Sequence, residues 1–362
     1  MNIRSLMQPH MLRLEPYEAV DPPEALAERA GIPQEQVVKL NGNENPYGCS
    51  PRVMEAIQRL DRFHIYPDSE QRAMRRALGE YVGLGPEHIV VGNGSDEIID
   101  LILRLFLAPG GAVIDCTPTF GMYRFSTHIC GGRTVSVPRD DAFRLDVDAV
   151  LRRASESGAR LVFIANPNNP SGNTTPREDV VRLLEAGLLV AVDEAYYEFS
   201  GSTVADLVPR YPNLVVLRTL SKWAGLAGLR VGYGLMDPAV TEVMLAMKPP
   251  YNINQAAEVA LLVSIEDRAL LLERVGRMVQ ERERMHSLLE RIEGARPWPS
   301  EGNFILCQLP EGAGKRVYEG LAKRGVFVRY FSTPRLRDCI RISVGLPEHT
   351  DRLVAALREV VR

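Results

Sequence analysis

The chain has 362 residues, of which 45% are hydrophobic and 25% charged, and its formal net charge at pH 7 is −3. This charge lacks the basic footprint of a nucleic-acid-binding protein, and no apolar run reaches the roughly 18 residues of a membrane span. The five cysteines are scattered without a C-x-x-C pair or zinc-finger spacing to a histidine. We therefore expect reduced cysteines, no metal site, and a cytoplasmic protein without a signal peptide.

From about residue 88 onward, short β-rich runs alternate with helical patterns. Strands are predicted at 88–92, 111–115, 133–137, 161–165, 188–193, 213–218 and 229–236, with helices between most of them, as near 146–156 and 176–187. Several of these runs are almost wholly apolar, which is typical of strands covered on both faces. The pattern predicts an α/β fold with a mainly parallel seven-stranded sheet flanked by helices.

The pattern changes after PPYNIN, residues 249–254. Residues 255–294 read as one long helix or two joined helices. NFILCQL, GVFVRYF and CIRISVG then alternate with helices near 313–324 and 348–361. This indicates a smaller α+β domain. The first forty or so residues have no sheet of their own and are expected to pack against that smaller unit. The predicted domains are a large one, 45–254, and a small one formed by an N-terminal arm, 1–44, together with 255–362.

Two turns of the large domain carry groups suited to a ligand. GNGSDE, 92–97, joins a strand to a helix, where Gly94 admits a close approach and the amides of Ser95 and Asp96 suit a phosphate. An ordinary helix cap explains the same residues. ANPNNPSG, 165–172, places Asn166 just after a buried strand, although Asn-Pro is also common turn chemistry. Ligands of open parallel sheets bind beyond the carboxyl ends of the strands.

Two further segments follow neighbouring strands. Asp193 ends the apolar strand LLVAV, where a buried carboxylate needs a cationic partner, and Tyr196 lies one turn later. A helix cap is the alternative explanation for Asp193. In RTLSKWAGLAGLR, 218–230, the amine of Lys222 stands among apolar and small residues that disfavour its charged form. Hydroxyls and a guanidinium for a phosphate are available nearby from Thr219, Ser221 and Arg230.

These requirements converge on one small molecule. It carries a phosphate, a ring nitrogen that Asp193 keeps protonated, a phenolate oxygen for Asn166 and Tyr196, and an aldehyde for Lys222. Pyridoxal 5′-phosphate has this set of groups, and its chemistry requires a lysine amine and an acidic partner at the pyridine nitrogen. The sequence therefore predicts a pyridoxal-phosphate enzyme.

At the level of whole motifs, the sequence resembles the fold-type I, class I/II pyridoxal-phosphate-dependent aminotransferases, and among them the histidinol-phosphate branch. The motifs are LNGNENPYG (40–48), YPD (66–68), GNGSDEII (92–99), PTFGMY (118–123), NPNNPSG (166–172), DEAYYEF (193–199), TLSKWAGLAGLR (219–230) and PYNIN (250–254), with the arginines of VFVRYF and CIRISVG. The resemblance implies transamination of L-histidinol phosphate with 2-oxoglutarate, which gives imidazole acetol phosphate and glutamate in histidine biosynthesis.

The resemblance also implies roles for individual residues. Lys222 would bind the cofactor aldehyde and then carry a proton, with Asp193 and Tyr196 beside it. The cofactor would contact Gly94, Ser95, Asp96, Phe120, Asn166, Asp193, Tyr196, Thr219, Ser221, Lys222 and Arg230, as well as Tyr66 from the partner of a homodimer with shared active sites. Phe120 stands where the family more often has tyrosine. Substrate binding would fall to Arg329, Arg341, Asn45 and Tyr17, the last in a segment that resembles one reaching the partner's pocket.

Three other functions fit parts of the pattern. An aromatic amino-acid aminotransferase would need Arg341 but not Arg329. A threonine-phosphate decarboxylase uses the same scaffold, and the motifs barely separate the two chemistries. A transcription regulator built on an aminotransferase domain would need an added DNA-binding domain, for which the chain has neither the length nor a basic patch.

Overall fold

The computed structural model describes residues 1–361, and its strands form two sheets. The strands are β1 (Val38–Leu40), β2 (Ile89–Asn93), β3 (Ala112–Asp115), β4 (Arg133–Ser136), β5 (Leu161–Ala165), β6 (Leu189–Asp193), β7 (Leu214–Thr219), β8 (Val231–Leu235), β9 (Arg296–Pro297), β10 (Phe304–Gln308), β11 (Val326–Tyr330) and β12 (Cys339–Ser343). The helices are α1 (Pro23–Ala30), α2 (Pro51–Gln58), α3 (Arg72–Val82), α4 (Ser95–Phe106), α5 (Met122–Ile129), α6 (Val147–Ser157), α7 (Arg177–Glu185), α8 (Tyr197–Ser200), α9 (Pro238–Met247), α10 (Gln255–Glu266), α11 (Arg268–Leu289), α12 (Gly314–Ala322) and α13 (Pro347–Val360). Short 3₁₀ turns lie at Ile3–Leu6, Met11–Arg13, Gln34–Gln36, Pro86–His88, Ala205–Leu207 and Ala227–Leu229.

The larger sheet has the strand order β2-β8-β7-β6-β5-β3-β4. β8 runs opposite to the other six strands, which are parallel to one another, and this confirms the predicted seven-stranded, mainly parallel sheet. Alternate residues of β5 enter two different hydrophobic cores: Val162 and Ile164 one, Leu161 and Phe163 the other. This two-sided burial explains why β5 is apolar throughout, because neither face of the strand meets water.

The parallel strands bring their carboxyl ends to one edge of the sheet. These ends are Asp115 of β3, Ala165 of β5, Asp193 of β6 and Thr219 of β7. The loops that leave this edge carry the motifs singled out from the sequence, so residues far apart in the chain are brought together at one site.

The smaller sheet has the order β1-β11-β12-β10-β9, with β1 parallel to β11 and the other pairs antiparallel. The first forty or so residues form no sheet of their own, and their last three, Val38–Leu40, join the smaller sheet by pairing with residues 326–328, as the expected packing against the smaller unit requires. The strand itself was not predicted. A three-residue strand whose partner lies far along the chain leaves no local signature. The predicted boundaries of the two domains stay a prediction.

Helix ends follow ordinary capping chemistry. The side chains of Ser50, Asp146 and Asn254 accept backbone N–H groups at the starts of α2, α6 and α10. The helical region predicted at 255–294 consists of two joined helices, α10 and α11, which meet at Asp267 and end at Leu289. No helix in residues 1–361 combines the length and apolar character needed to cross a lipid bilayer.

Candidate active site

A cavity of about 980 Å³ lies between the carboxyl edge of the larger sheet and the smaller sheet. Its wall includes most of the residues predicted from the sequence: Tyr17, Ser95, Asp96, Phe120, Asp193, Tyr196, Thr219, Ser221, Lys222, Arg230, Arg329 and Arg341. The predicted residues Gly94, Asn166, Asn45 and Tyr66 do not line it. The structure therefore brings together residues from the N-terminal arm, the large sheet and the small sheet.

The amine of Lys222 lies in this cavity, in the loop between β7 and β8. It donates a hydrogen bond to the carbonyl oxygen of Gly42 at 3.1 Å, and no carboxylate in the described part of the chain forms an ion pair with it. Burial, followed by the positive charges of Arg341 and Arg230, lowers the pKa of Lys222 to about 8. An amine with this pKa is partly neutral near physiological pH and can act as a nucleophile.

Packing holds the Lys222 loop in place. The next residue, Trp223, is fully buried and stacks on Tyr81, with ring centroids 5.5 Å apart. Gly225 has a φ of +69°, and a side chain there would meet the backbone of Gly48 at 2.5 Å. Glycine and tryptophan therefore serve to anchor the lysine.

The carboxylate of Asp193 is buried at the end of β6. It accepts hydrogen bonds from the hydroxyl of Tyr123 at 2.8 Å and from the backbone N–H of Ala195 at 3.1 Å. Within residues 1–361 it has no cationic partner, and burial raises its pKa to about 6. A buried carboxylate without a cation is costly, which is the expected state of a group built to face a cationic ligand.

Asn166 and Tyr196 flank Asp193. The amide oxygen of Asn166 accepts from the backbone N–H of Thr175 at 2.8 Å, but its fully buried amide nitrogen has no partner within the described residues. The hydroxyl of Tyr196 accepts from the amide of Asn43 at 2.9 Å. The amide nitrogen of Asn166 and the hydroxyl of Tyr196 thus each keep an N–H or O–H group that can donate a hydrogen bond.

The asparagine network around Tyr196 was not predicted from the sequence. Asn43 has a φ of +52°, and its backbone N–H and amide oxygen both bond to the hydroxyl of Ser343, at 2.8 and 2.9 Å. The amide of Asn303 donates to the carbonyl oxygen of Asn43 at 2.9 Å. The only sequence signal was the run of asparagines in LNGNENPYG, which does not reveal which one bonds across to the small sheet.

Several polar groups that together suit a phosphate lie at the start of α4. The backbone N–H groups of Ser95 and Asp96 belong to the first turn of this helix, and Arg230 bonds to the Asp96 carboxylate at 2.8 Å. Thr219 accepts the N–H of Ser221 at 3.1 Å. Gly94 has a φ of +80°, and a side chain there would lie 2.5 Å from the Arg230 guanidinium. Helix N-termini with a nearby guanidinium bind anions well.

Gly232 of β8 lies against the start of α4, a contact that was not predicted from the sequence. A side chain on Gly232 would lie 2.2 Å from the backbone nitrogen of Ser95. The N-terminus of α4 can therefore rest against the sheet only because position 232 is glycine. The alternating glycines of VGYGL indicate that something approaches this strand closely, but the sequence does not indicate that the approaching residue is Ser95.

Two arginines face each other across neighbouring strands of the small sheet. Arg329 of β11 and Arg341 of β12 are register partners. Arg341 is buried and donates to the amide oxygen of Asn169 and the carbonyl oxygen of Asn41, both at 2.7 Å, while its Nε has no partner in the described chain. Like charges directly opposite on a sheet are unfavourable. Their pairing on the wall of a cavity is typical of an anion-binding site.

Tyr17 enters the cavity of its own chain. Its ring packs near Phe120 and Phe125, with centroids 6.4 and 6.2 Å apart, and the neighbouring Glu18 bonds to Arg329 at 3.1 Å. These contacts hold the arm against the cavity of its own chain, and the prediction that the segment reaches a partner's pocket stays a prediction.

Asn45 and Tyr66 lie away from the cavity wall. The amide of Asn45 donates to the carbonyl oxygen of Trp223 at 2.8 Å and accepts the N–H of Tyr47 at 3.0 Å, so both its polar atoms serve the backbone. The structure thus places Asn43, rather than Asn45, on the cavity wall beside Tyr196. Tyr66 is 76% exposed and stacks on Tyr251.

The donor set fits pyridoxal 5′-phosphate. The free amide nitrogen of Asn166, the buried carboxylate of Asp193 without a cation and the low-pKa amine of Lys222 are three groups whose partners that molecule can supply. The α4 N-terminus with Arg230 suits its phosphate. Phe120 is placed on the cavity wall as an apolar ring for stacking.

Comparisons with known proteins show the family to which the chain belongs. The family model for aminotransferases of class I and II matches residues 35–357. A histidinol-phosphate aminotransferase from Roseiflexus castenholzii is 48% identical, and the match covers 99% of each chain. The crystal structure of histidinol-phosphate aminotransferase from Sinorhizobium meliloti, in complex with pyridoxal 5′-phosphate, is 30% identical with a TM-score of 0.91, over 99% of this chain and 98% of that one.

The fold extends to an enzyme of different chemistry. L-threonine-O-3-phosphate decarboxylase from Porphyromonas gingivalis superposes with a TM-score of 0.77 at 20% identity, over 88% of this chain and 98% of the other. At this identity the likeness concerns the fold alone. The family match and the high identity over the full length decide the assignment: this chain is an aminotransferase that belongs to class I and II.

Proposed function

We propose that this enzyme transfers the amino group of L-histidinol phosphate to 2-oxoglutarate, giving imidazole acetol phosphate and glutamate, as a step of histidine biosynthesis. The observation that carries the proposal is one cavity that joins the low-pKa amine of Lys222 to the facing guanidiniums of Arg329 and Arg341. The relatives at high identity bear the corresponding name. We further propose that the protein works in the cytoplasm.

Pyridoxal 5′-phosphate is the cofactor, and when bound it supplies an electron-withdrawing ring that stabilises negative charge at the substrate Cα. Asp193 would hold the pyridine nitrogen, and Asn166 with Tyr196 the ring oxygen. The phosphate would be bound by Ser95, Asp96, Thr219, Ser221 and Arg230, beside Gly94, with Phe120 against the ring. Asp193 is suited to this because burial without a cation leaves it ready to pair with a protonated nitrogen.

Lys222 is the residue that binds the cofactor aldehyde and moves a proton at the substrate Cα. Its pKa of about 8 lets the same amine accept and release a proton near physiological pH. The carbonyl oxygen of Gly42 orients the amine through its hydrogen bond at 3.1 Å. Arg341 and Arg230 contribute by keeping positive charge near it, which disfavours its protonated form.

The two arginines would bind the anionic ends of both substrates. Arg341 is fixed by Asn169 and Asn41, neither of them charged, so its positive charge stays available for a carboxylate or phosphate. Arg329 adds a second charge, which suits a phosphate dianion better than a single carboxylate. One half-reaction would bring the phosphate of histidinol phosphate to this pair and the other a carboxylate of glutamate.

We also propose a homodimer in which Tyr66 completes the partner's cofactor site. Within its own chain Tyr66 is exposed and stacked on Tyr251, and the nearby Phe63 and Ile65 are exposed as well. Exposed apolar side chains clustered in one segment mark an interaction surface. The arrangement leaves Tyr66 free to contact a second copy.

The test is a panel of amine donors offered to the cofactor-loaded enzyme with 2-oxoglutarate. Histidinol phosphate should give glutamate at a higher kcat/KM than phenylalanine or tyrosine, without carbon dioxide. Equal efficiency on phenylalanine would favour the aromatic aminotransferase. Release of carbon dioxide from threonine phosphate would favour the decarboxylase.

A further inference from the structure

The N-terminal arm, defined here as residues 14–20, supplies part of the cavity wall. Tyr17, Glu18, Ala19 and Val20 all line the cavity. The arm has no regular secondary structure, and Tyr17 anchors it through its packing near Phe120 and Phe125. The side chains beside Tyr17 are therefore held close to the substrate-binding arginines.

Two carboxylates on either side of Tyr17 reach two different arginines. The Glu18 carboxylate lies 3.1 Å from the guanidinium of Arg329 in β11, and the Glu15 carboxylate lies 3.5 Å from that of Arg124 in α5. One ion pair thus attaches the arm to β11 of the small sheet, and another attaches it to α5, which packs beside the large sheet. Only the first of these pairs involves an arginine that the proposed function assigns to substrate.

The Glu18–Arg329 pair is unequal in its burial. The Arg329 side chain is 19% exposed, whereas that of Glu18 is 80% exposed. Ion pairs with an exposed partner contribute little free energy, so Glu18 can leave at small cost. In the described residues no other carboxylate pairs with Arg329.

We propose that Glu18 is an internal competitor for the substrate phosphate at Arg329, an inference that rests on the proposed function. A phosphate that binds Arg329 takes the position of the Glu18 carboxylate, which moves into solvent and returns when the product leaves. Glu18 thereby lowers the affinity of every anion that uses Arg329 and keeps weakly bound anions off the site. Ligands that do not use Arg329 are unaffected.

The test variant is Glu18→Gln, which keeps the size of the side chain and removes its charge. Because exposed ion pairs are weak, we expect the KM for histidinol phosphate to fall roughly two- to fivefold at low salt. The Kd of inorganic phosphate, measured by calorimetric titration of the cofactor-loaded enzyme, should fall by the same factor. Glu15→Gln is the matched control, since it lies on the same arm but pairs with Arg124, and it should change neither value.

A double-variant cycle identifies the partner. In an Arg329→Ala background, Glu18→Gln should leave the KM for histidinol phosphate unchanged, because the group for which it competes is gone. An unchanged or higher Kd for phosphate in Glu18→Gln would overturn the inference. An equal fall of the KM for histidinol phosphate when Glu18→Gln is added to Arg329→Ala would overturn it as well. The phosphate titration does not depend on turnover. An enzyme that ignores histidinol phosphate yet binds phosphate more tightly as Glu18→Gln would refute the proposed function and keep this inference.

Discussion

At the scale of single residues, the proposed reaction depends first on the amine of Lys222. We expect Lys222→Ala to abolish transamination, because no other amine of residues 1–361 lines the cavity. The fold should be kept, since the amine makes one hydrogen bond, to the Gly42 carbonyl. Lys315→Ala is the control, because that side chain is 73% exposed on α12. Steady-state rates and circular dichroism measure the two effects, and wild-type activity in Lys222→Ala would refute the mechanism.

Asp193 should show a conflict between stability and activity. Its pKa is raised to about 6, so the folded protein binds the proton more tightly than the unfolded chain does. The charged form therefore destabilises the cofactor-free fold as pH rises from about 4 through 6, and the cost persists above that range. We expect Asp193→Asn to stabilise the cofactor-free protein at pH 8 by on the order of 2 kcal/mol. Its activity should fall at least 100-fold.

Denaturant unfolding and steady-state rates test this prediction. The same variant at pH 4 should lose most of its stability advantage, because the carboxyl of the unsubstituted protein is then protonated too. Lower stability of Asp193→Asn at pH 8 would show that the buried charge of Asp193 does not destabilise the cofactor-free fold.

The sequence was informative about residues whose role follows from their place at a strand end. Asp193 is the last residue of β6, and Lys222 lies in the loop that follows β7, so the buried strands predict at which edge of the sheet both residues emerge. The sequence could not separate Asn43 from Asn45, because a left-handed backbone at Asn43 and a contact with Ser343 decide the difference. Such contacts join residues about three hundred positions apart and leave no local pattern.

At the scale of elements, the approach of α4 to β8 depends on one glycine. Gly232→Ala should weaken cofactor affinity at least 10-fold, because its side chain would meet the Ser95 nitrogen that begins α4. Gly228→Ala is a matched control in the same segment, since a side chain there meets nothing within 4 Å. Titration of the cofactor-free proteins with pyridoxal 5′-phosphate, followed by absorbance, measures both affinities. Equal affinities would show that α4 can shift away from β8 without weakening cofactor binding.

The elements themselves were largely predictable. β5 and β6 were predicted almost residue by residue, because burial on both faces makes β5 apolar throughout and β6 apolar up to its last residue, Asp193. β1 was missed because its pairing with β11 is set by the tertiary fold and not by a pattern within three residues. The antiparallel direction of β8 likewise depends on its place between β2 and β7.

At the scale of the whole molecule, Tyr66 predicts an active site shared between two copies. A Lys222→Ala protein and a Tyr66→Ala protein should each be nearly inactive. Mixed and allowed to exchange subunits, they should regain part of the activity, because one hybrid site then contains both residues. Sedimentation of the active enzyme checks the assembly. A fully active monomer, or an unimpaired Tyr66→Ala protein, would contradict the shared site.

The cavity joins the amine of Lys222 on the large sheet to Arg329 on the small sheet, which we propose binds the substrate phosphate. The most direct measurement is kcat/KM of Arg329→Ala for histidinol phosphate and for phenylalanine, each with 2-oxoglutarate, compared with the unsubstituted enzyme. Loss of a charge-assisted hydrogen bond should lower the value for histidinol phosphate by roughly 10- to 100-fold more than that for phenylalanine. An equal loss on both donors would show that Arg329 only supports the fold, and would contradict the assignment of histidinol phosphate as the substrate.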